Sequence, residues 1–185
     1  MKNYFVCKAC GFIALDNEFK DFCPACGVPA KLFEPYESRL SEKRDKLLSK
    51  HLHPIILHLP MSFVIMALVF DISSLIFNGQ FHNILQMGAE INTVLLPFGV
   101  IVAALFGMLD GKTRFKRLTT KHLQLKMILA GVLFLISCVA ALIIIKLEMT
   151  TPIMLLLIFL DLAALATAGI LGKTGSKLMN AALPG

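Results

Sequence analysis

Residues 123–145 read LQLKMILAGVLFLISCVAALIII, 23 consecutive positions made mostly of Leu, Ile, Val and Ala. A helix rising 1.5 Å per residue covers about 35 Å over that length, enough to cross a hydrocarbon core of ~30 Å. Three further apolar runs, Pro54 to Phe77, Ile84 to Leu109 and Pro152 to Gly172, are each at least as long as the ~20 residues a crossing needs. The predicted fold class is therefore mainly α: a bundle of four transmembrane helices. Composition agrees, since 57% of the 185 residues are hydrophobic, 16% are charged and the mean hydropathy is +0.76, outside the range of soluble domains.

The first 36 residues differ. Four Lys balance four Asp and Glu there, and four of the five Cys lie there. The expected domains are a metal-binding head over 1–36, a charged linker over 37–53 and a membrane domain over 54–185. No basic start, apolar core and small-residue cleavage site precede the head, so no secretory leader is expected. Arg39, Lys43, Arg44, Lys46 and Lys50 precede the first run, Lys112, Arg114, Lys116, Arg117 and Lys121 join the second to the third, and Lys173 and Lys177 follow the fourth. The opposite connections, 78–83 and 146–151, hold one Lys and no Arg. The positive-inside rule then places both termini and the head on the cytoplasmic side of a bacterial or archaeal cytoplasmic membrane. A net charge of +6 distributed this way points to membrane lipids as partner, not to nucleic acid.

In the head the spacing Cys7-x2-Cys10, then twelve residues, then Cys23-x2-Cys26 sets two Cys on each of two tight turns. Opposed turns supply four soft ligands to a tetrahedral metal. So small a head needs a metal to fold, and a reducing cytoplasm opposes disulfides. Spacing alone leaves iron and zinc open. No C-x-x-C-H occurs, which excludes covalent c-type haem, and Cys138, inside the third run, reads as a small buried hydrophobe.

The stretches Tyr4-Phe5-Val6-Cys7-Lys8-Ala9-Cys10-Gly11-Phe12 and Cys23-Pro24-Ala25-Cys26-Gly27-Val28-Pro29, with Phe33 after them, resemble the rubredoxin-like domain of rubrerythrins over residues 3–36. The resemblance implies one iron in four thiolates that cycles between ferric and ferrous states. The glycines after each Cys pair free backbone N–H groups to point at sulfur and tune the site.

The linker, Glu37 to Lys50, alternates charge signs around Leu40, Leu47 and Leu48. It reads either as a short amphipathic helix on the basic interface or as a solvated connection.

Four of the five His border or enter the membrane at one side: His51, His53, His58 and His122. His53-Pro54 reads as a cap with Pro at the first helical position, and Pro60 is expected to bend the first helix where His58 points inward. His58 and His122, at one depth on two helices, form the expected pair of axial ligands for a haem b, with His53 as an alternative ligand and His51 interfacial. Gly107 and Gly111 would let a flat macrocycle approach the second helix.

His53-Pro54-Ile55-Ile56-Leu57-His58-Leu59-Pro60, Asp71, Gly107-Met108-Leu109-Asp110 and His122-Leu123 resemble an uncharacterised family of four-helix bacterial and archaeal membrane proteins over residues 51–172. The resemblance supports His53, His58, Asp110 and His122 without naming their chemistry.

Asp71, Glu90 and Asp161 fall about 9 to 14 Å below the outer surface, a shared depth. They read as a proton or cation path, as a quinone pocket, or as a hydrogen-bonded knot grouped with Gln86, Asn92, Ser73 and Ser74. Asp110, beside Lys112 and Arg114, reads as a surface ion pair or a support for His122.

The function these features suggest together is membrane electron transfer: a cytoplasmic redox protein reduces the head iron, and the electron continues to a haem b and a quinone. The alternative is a zinc-ribbon membrane adaptor that binds a protein partner, and a small transporter ranks last. Ala and Gly on several helix faces suit a homo-oligomer.

Overall fold

A computed structural model of the chain describes residues 4–15, 18, 20–37, 41–115 and 119–179. Arg39, Leu40, Lys116 and Arg117, singled out above for charge and patterning, lie outside the described residues. The chain divides into two compact units, residues 1–42 and 43–183.

The first unit carries a three-stranded antiparallel sheet of β1 (Tyr4–Cys7), β2 (Ile13–Leu15) and β3 (Phe33–Tyr36), in the order β2-β1-β3. Tyr4 pairs with Leu15 on one side and Tyr36 on the other, and Cys7 pairs with Phe33. The core of this unit is very small: among the described residues its buried hydrophobic ones are Cys7, Ala14 and Cys23. Lys8 and Glu34 form an exposed ion pair from β3 to the turn after β1.

The second unit is the bundle: α1 (Glu42–Leu48), α2 (Leu52–Ile76), α3 (Gln80–Phe115), α4 (Lys121–Lys146) and α5 (Thr151–Met179). The last four are each long and apolar enough to cross a membrane, and they pack in a ring, α2 on α3, α3 on α4, α4 on α5 and α5 back on α2. Short connections make neighbours antiparallel. Val64, Leu96, Val100, Leu133 and Ala164 meet in the middle. Larger apolar side chains such as Ile55, Phe98, Ile128 and Phe159 face outward, as lipid contact requires when the surrounding solvent is itself hydrocarbon.

The helices outrun the apolar stretches. α3 extends four residues before Ile84 and six beyond Leu109, so Lys112 and Arg114 belong to its last turns rather than to a loop. α2 begins at Leu52 after His51, which adopts the left-handed conformation (φ 48°, ψ 34°) and separates α2 from α1. This moves the expected cap two residues upstream. Pro54 takes the third helical position, where its missing N–H also costs nothing because the first four N–H groups have no partner inside a helix. Pro60 sits buried inside α2, which continues through it to Ile76.

The helical alternative for the linker holds over Glu42–Leu48, and α1 is pinned to the bundle. The Arg44 guanidinium donates from Nε to the Thr113 carbonyl (2.8 Å) and from Nη2 to the Arg114 carbonyl (3.0 Å), satisfying acceptors that the C-terminus of α3 leaves open. Arg44→Ala is expected to speed backbone hydrogen exchange in residues 43–48 by about tenfold, since a hydrogen bond from a charged donor contributes ~1.5 kcal/mol or more. Unchanged exchange there would show that α1 is held by its leucines alone.

Candidate functional site

Each Cys pair sits on the same turn. Cys7 donates its N–H to the Phe12 carbonyl (2.9 Å) and accepts from the Gly11 N–H (2.8 Å). Cys23 donates to Val28 (2.7 Å) and accepts from Gly27 (2.9 Å). The turn requires a left-handed residue after its second Cys, and Gly11 (φ 75°) and Gly27 (φ 74°) supply it without the Cβ clash that another residue would carry. Two equivalent turns thus present four sulfurs to one point.

The four Sγ atoms lie within 4.8 Å of one another, with Cys7 to Cys26 at 3.9 Å and Cys10 to Cys23 at 3.8 Å. A tetrahedral ion with metal–sulfur bonds of ~2.3 Å needs sulfurs about 3.8 Å apart. The side chains are therefore already spaced for such an ion. Their protonation chemistry fits as well. Burial pushes the Cys23 thiol up, but the backbone N–H groups of Cys26 and Ala25 and the facing thiols of Cys26 and Cys10 outweigh it and bring it to about 7. The Phe12 backbone favours the Cys10 thiolate, but burial and the other three sulfurs push that thiol up to about 12. Once one of four thiols this close has ionised, the others resist losing their protons, and a bound cation reverses that penalty. Cys7 and Cys23 are buried while Cys10 and Cys26 are exposed, so the sulfurs have one face in the protein and one at its surface.

Inside the bundle the histidines are distributed differently from the expectation. The buried stripe of α2 runs Pro60, Val64, Ala67, Asp71, Ser74. His53, seven residues before Pro60, lies on that stripe, whereas His58, two residues before it, lies about 200° around the helix. The inward orientation expected of His58 is thus corrected. Its side chain is exposed and its Nδ1–H donates to the Pro54 carbonyl of its own helix (2.9 Å). His122 is also exposed, next to the buried Leu123 that faces inward in its place. The pair shares no interior site. His53 instead packs its ring on Gly107, where a Cβ would fall 2.9 Å from Cε1, so the close approach that Gly107 allows is used by an imidazole rather than a macrocycle. His51 is exposed at the α1–α2 junction.

Around His53 is a polar group that the sequence reading missed. The buried stripe of α4 passes through Leu123, Leu133, Ser137 and Ala140, and Lys126 falls on it. Its Nζ lies 3.2 Å from the Cβ position of Gly175, and both it and His53 feel the charges of Asp110 and Arg114. A lone Lys within an apolar run, in phase with the inward positions, was the available signal. Asp110 accepts from Arg114 Nε (3.0 Å), so it is an ion pair, and its charge acts on His53 and Lys126. Beside His53 and Asp110, against Leu48 and Phe106, is a cavity of about 20 Å³, room for a single water.

Toward the other end of α2, Asp71 and Asp161 are each 1% exposed, their carboxyl groups act on each other, and both Asp71 oxygens and Asp161 Oδ2 lack a hydrogen-bond partner. Glu90 acts on Asp71 through its charge but is half-buried and accepts from Gln86 Nε2 (3.0 Å). The remaining polar neighbours expected here are used locally: Asn92 bonds the Gly88 carbonyl, and the Ser74 hydroxyl bonds the Asp71 carbonyl. Thr93, not singled out by sequence, is 1% exposed and its hydroxyl has no partner. Cys138 is partly buried on α4.

The family model of predicted membrane proteins termed DUF2231 matches residues 49–182, which include all of α2 to α5 and exclude the four-cysteine head. No curated protein and no solved structure matches the chain. The match extends over well more than half of the sequence and takes in every candidate spanning helix, so the chain belongs to the DUF2231 family of predicted membrane proteins.

Proposed function

We propose that this protein is a membrane-bound electron-transfer protein whose redox centre is an iron ion held by Cys7, Cys10, Cys23 and Cys26. The observation that carries the reading is a tetrahedrally spaced four-sulfur cluster with two sulfurs at the surface, on a chain that is otherwise membrane-embedded. An iron in four thiolates supplies a one-electron ferric–ferrous couple. The resemblance of both Cys turns to rubredoxin-like domains supports iron over zinc. The backbone N–H groups of the two turns stabilise sulfur charge. The exposed Cys10 and Cys26, with Phe12 and Phe22 also exposed in this unit, offer a partner the short path that electron exchange requires.

The distribution of basic residues supports a cytoplasmic head and hence a cytoplasmic redox protein as donor. The acceptor in this reading is a molecule dissolved in the membrane, such as a quinone. His58 and His122 are both exposed, so a single bundle offers a haem b no interior seat between them.

Metal analysis and the visible spectrum of the purified full-length protein, as isolated and after dithionite, test the reading. Iron stoichiometric with protein and a visible band bleached by reduction are expected. Zinc in a colourless protein would overturn electron transfer and leave a membrane-anchored adaptor.

A further inference from the structure

Among the described residues the carboxyls of Asp71 on α2 and Asp161 on α5 are the most deeply buried ionisable groups of the bundle, and nothing proposed for the head uses them. Both Asp71 oxygens and Asp161 Oδ2 are buried without a hydrogen-bond partner, and two neighbouring carboxyls can satisfy one another only when one of them carries an O–H. Among the described residues no Lys or Arg forms an ion pair with either carboxyl. α3 contributes Glu90, whose charge acts on Asp71, and the buried Thr93 hydroxyl, while the buried Ser137 of α4 spends its hydroxyl on the Phe134 carbonyl (2.8 Å). His82 donates its Nδ1–H to the Ser74 carbonyl (2.7 Å). Two buried carboxylates with no cation would carry an unpaired charge of the costliest kind, in a bundle whose outer surface is hydrocarbon.

Thr93 is the independent observation. A Cβ at Gly88 would fall 2.8 Å from the Phe70 ring, and one at Gly99 would fall 3.4 Å from the Pro60 Cα. This antiparallel register sets Thr93 opposite residues 65–66 of α2, about one and a half helical turns from Asp71. Side chains lean toward the N-terminus of their own helix. In an antiparallel pair, Asp71 therefore leans toward the level of Thr93 and Thr93 toward the level of Asp71. A fully buried hydroxyl with no partner thus leans toward the level of carboxyls whose own oxygens have no partner.

We propose that Asp71, Asp161 and the Thr93 hydroxyl form a proton-binding site within the bundle, reached from the surface through the half-buried Glu90. The pair holds the proton between its carboxyls, and Thr93 donates to the oxygen that carries the remaining charge. The site is independent of which metal the head binds.

Dicyclohexylcarbodiimide tests it, because this apolar reagent reaches carboxyls from the lipid and reacts with the protonated form. The carboxyl oxygen bonds to the central carbon, its proton moves to nitrogen, and an O-to-N shift leaves an N-acylurea that retains the whole reagent. Intact-mass and fragment mass spectrometry of the full-length protein in liposomes should find one added reagent, on Asp71 or Asp161. Its rate should fall as pH rises, and should be the same in sodium and potassium salts. Asp71→Asn with Asp161→Asn should abolish the label while circular dichroism stays unchanged, since the amide keeps a donor in the contact. Thr93→Val should move the pH midpoint of labelling, and Thr167→Val should not, because Thr167 bonds the Ala163 carbonyl of its own helix. Protection by sodium alone would overturn the proposal in favour of a cation site. Failure to label either Asp in the folded wild-type protein, or an unmoved midpoint in Thr93→Val, would overturn the arrangement described.

Discussion

Cys23→Ser is expected to empty the head of metal and unfold it while leaving the bundle intact. Among the described residues the buried hydrophobic ones of the head are Cys7, Ala14 and Cys23, so two of the four candidate metal ligands are also most of its core. Apolar burial on that scale cannot offset the conformational entropy of ordering about thirty residues. A metal held by the four thiolates would do so, since structural zinc sites contribute an apparent ~10–16 kcal/mol at neutral pH. Serine replaces a thiolate by a poorly ionising hydroxyl, and three remaining ligands leave an open tetrahedron. Metal content should fall at least tenfold, and limited proteolysis should cut within residues 4–37. Residues 43–179 form a separate unit with its own core, so helicity and thermal unfolding of the membrane part should not change. A variant that keeps its metal, or loses the bundle as well, would contradict this division of stability.

Gly99→Leu should have the largest effect in the membrane part. At Gly99 even a Cβ would fall 3.3 Å from the Phe63 ring and 3.4 Å from the Pro60 Cα, and the backbone of Pro60, fixed by its ring, cannot turn aside as a flexible side chain would. In lipid the hydrophobic effect does not hold helices together, so close backbone approach at small residues provides much of the association energy. Forcing a branched side chain into this contact should cost about 3 kcal/mol, seen as a lower midpoint in detergent denaturation. Gly131→Leu is the matched control: it lies exposed in the same bundle with nothing within 4 Å of its Cβ position, and should be nearly neutral. Equal losses in the two variants would show that helix propensity or insertion, and not the α2–α3 contact, governs stability.

Both expectations depend on how helices turn, and this is where sequence and structure part company. The four spans were legible because their signal is a one-dimensional sum: lipid demands about twenty apolar residues and a closed hydrogen-bond ladder, whatever the neighbours do. The four-cysteine site was legible because two short turns are local structures whose glycines and spacing encode their own geometry. The sequence also showed that Asp71 and Asp161 fall at a shared depth, since depth is a count of residues times a fixed rise.

Rotation about the helix axis is different. In a soluble helix the polar face declares which side is buried, but in these spans both faces are apolar, and the inward stripe is chosen by packing. Sequence alone therefore turned His58 inward, overlooked Lys126 and Thr93, and placed His53 at the boundary. The tertiary structure reversed these assignments because the small and well-shaped residues, Pro60, Val64, Ala67 and Gly99, allow α2 and α3 to approach along one face only. That face carries His53 and Asp71 inward and leaves His58 outside. Composition and spacing determined that this is a four-span membrane protein with a metal-ready head, and interhelical packing alone decided which ionisable groups meet, because only contact between helices fixes where each side chain points.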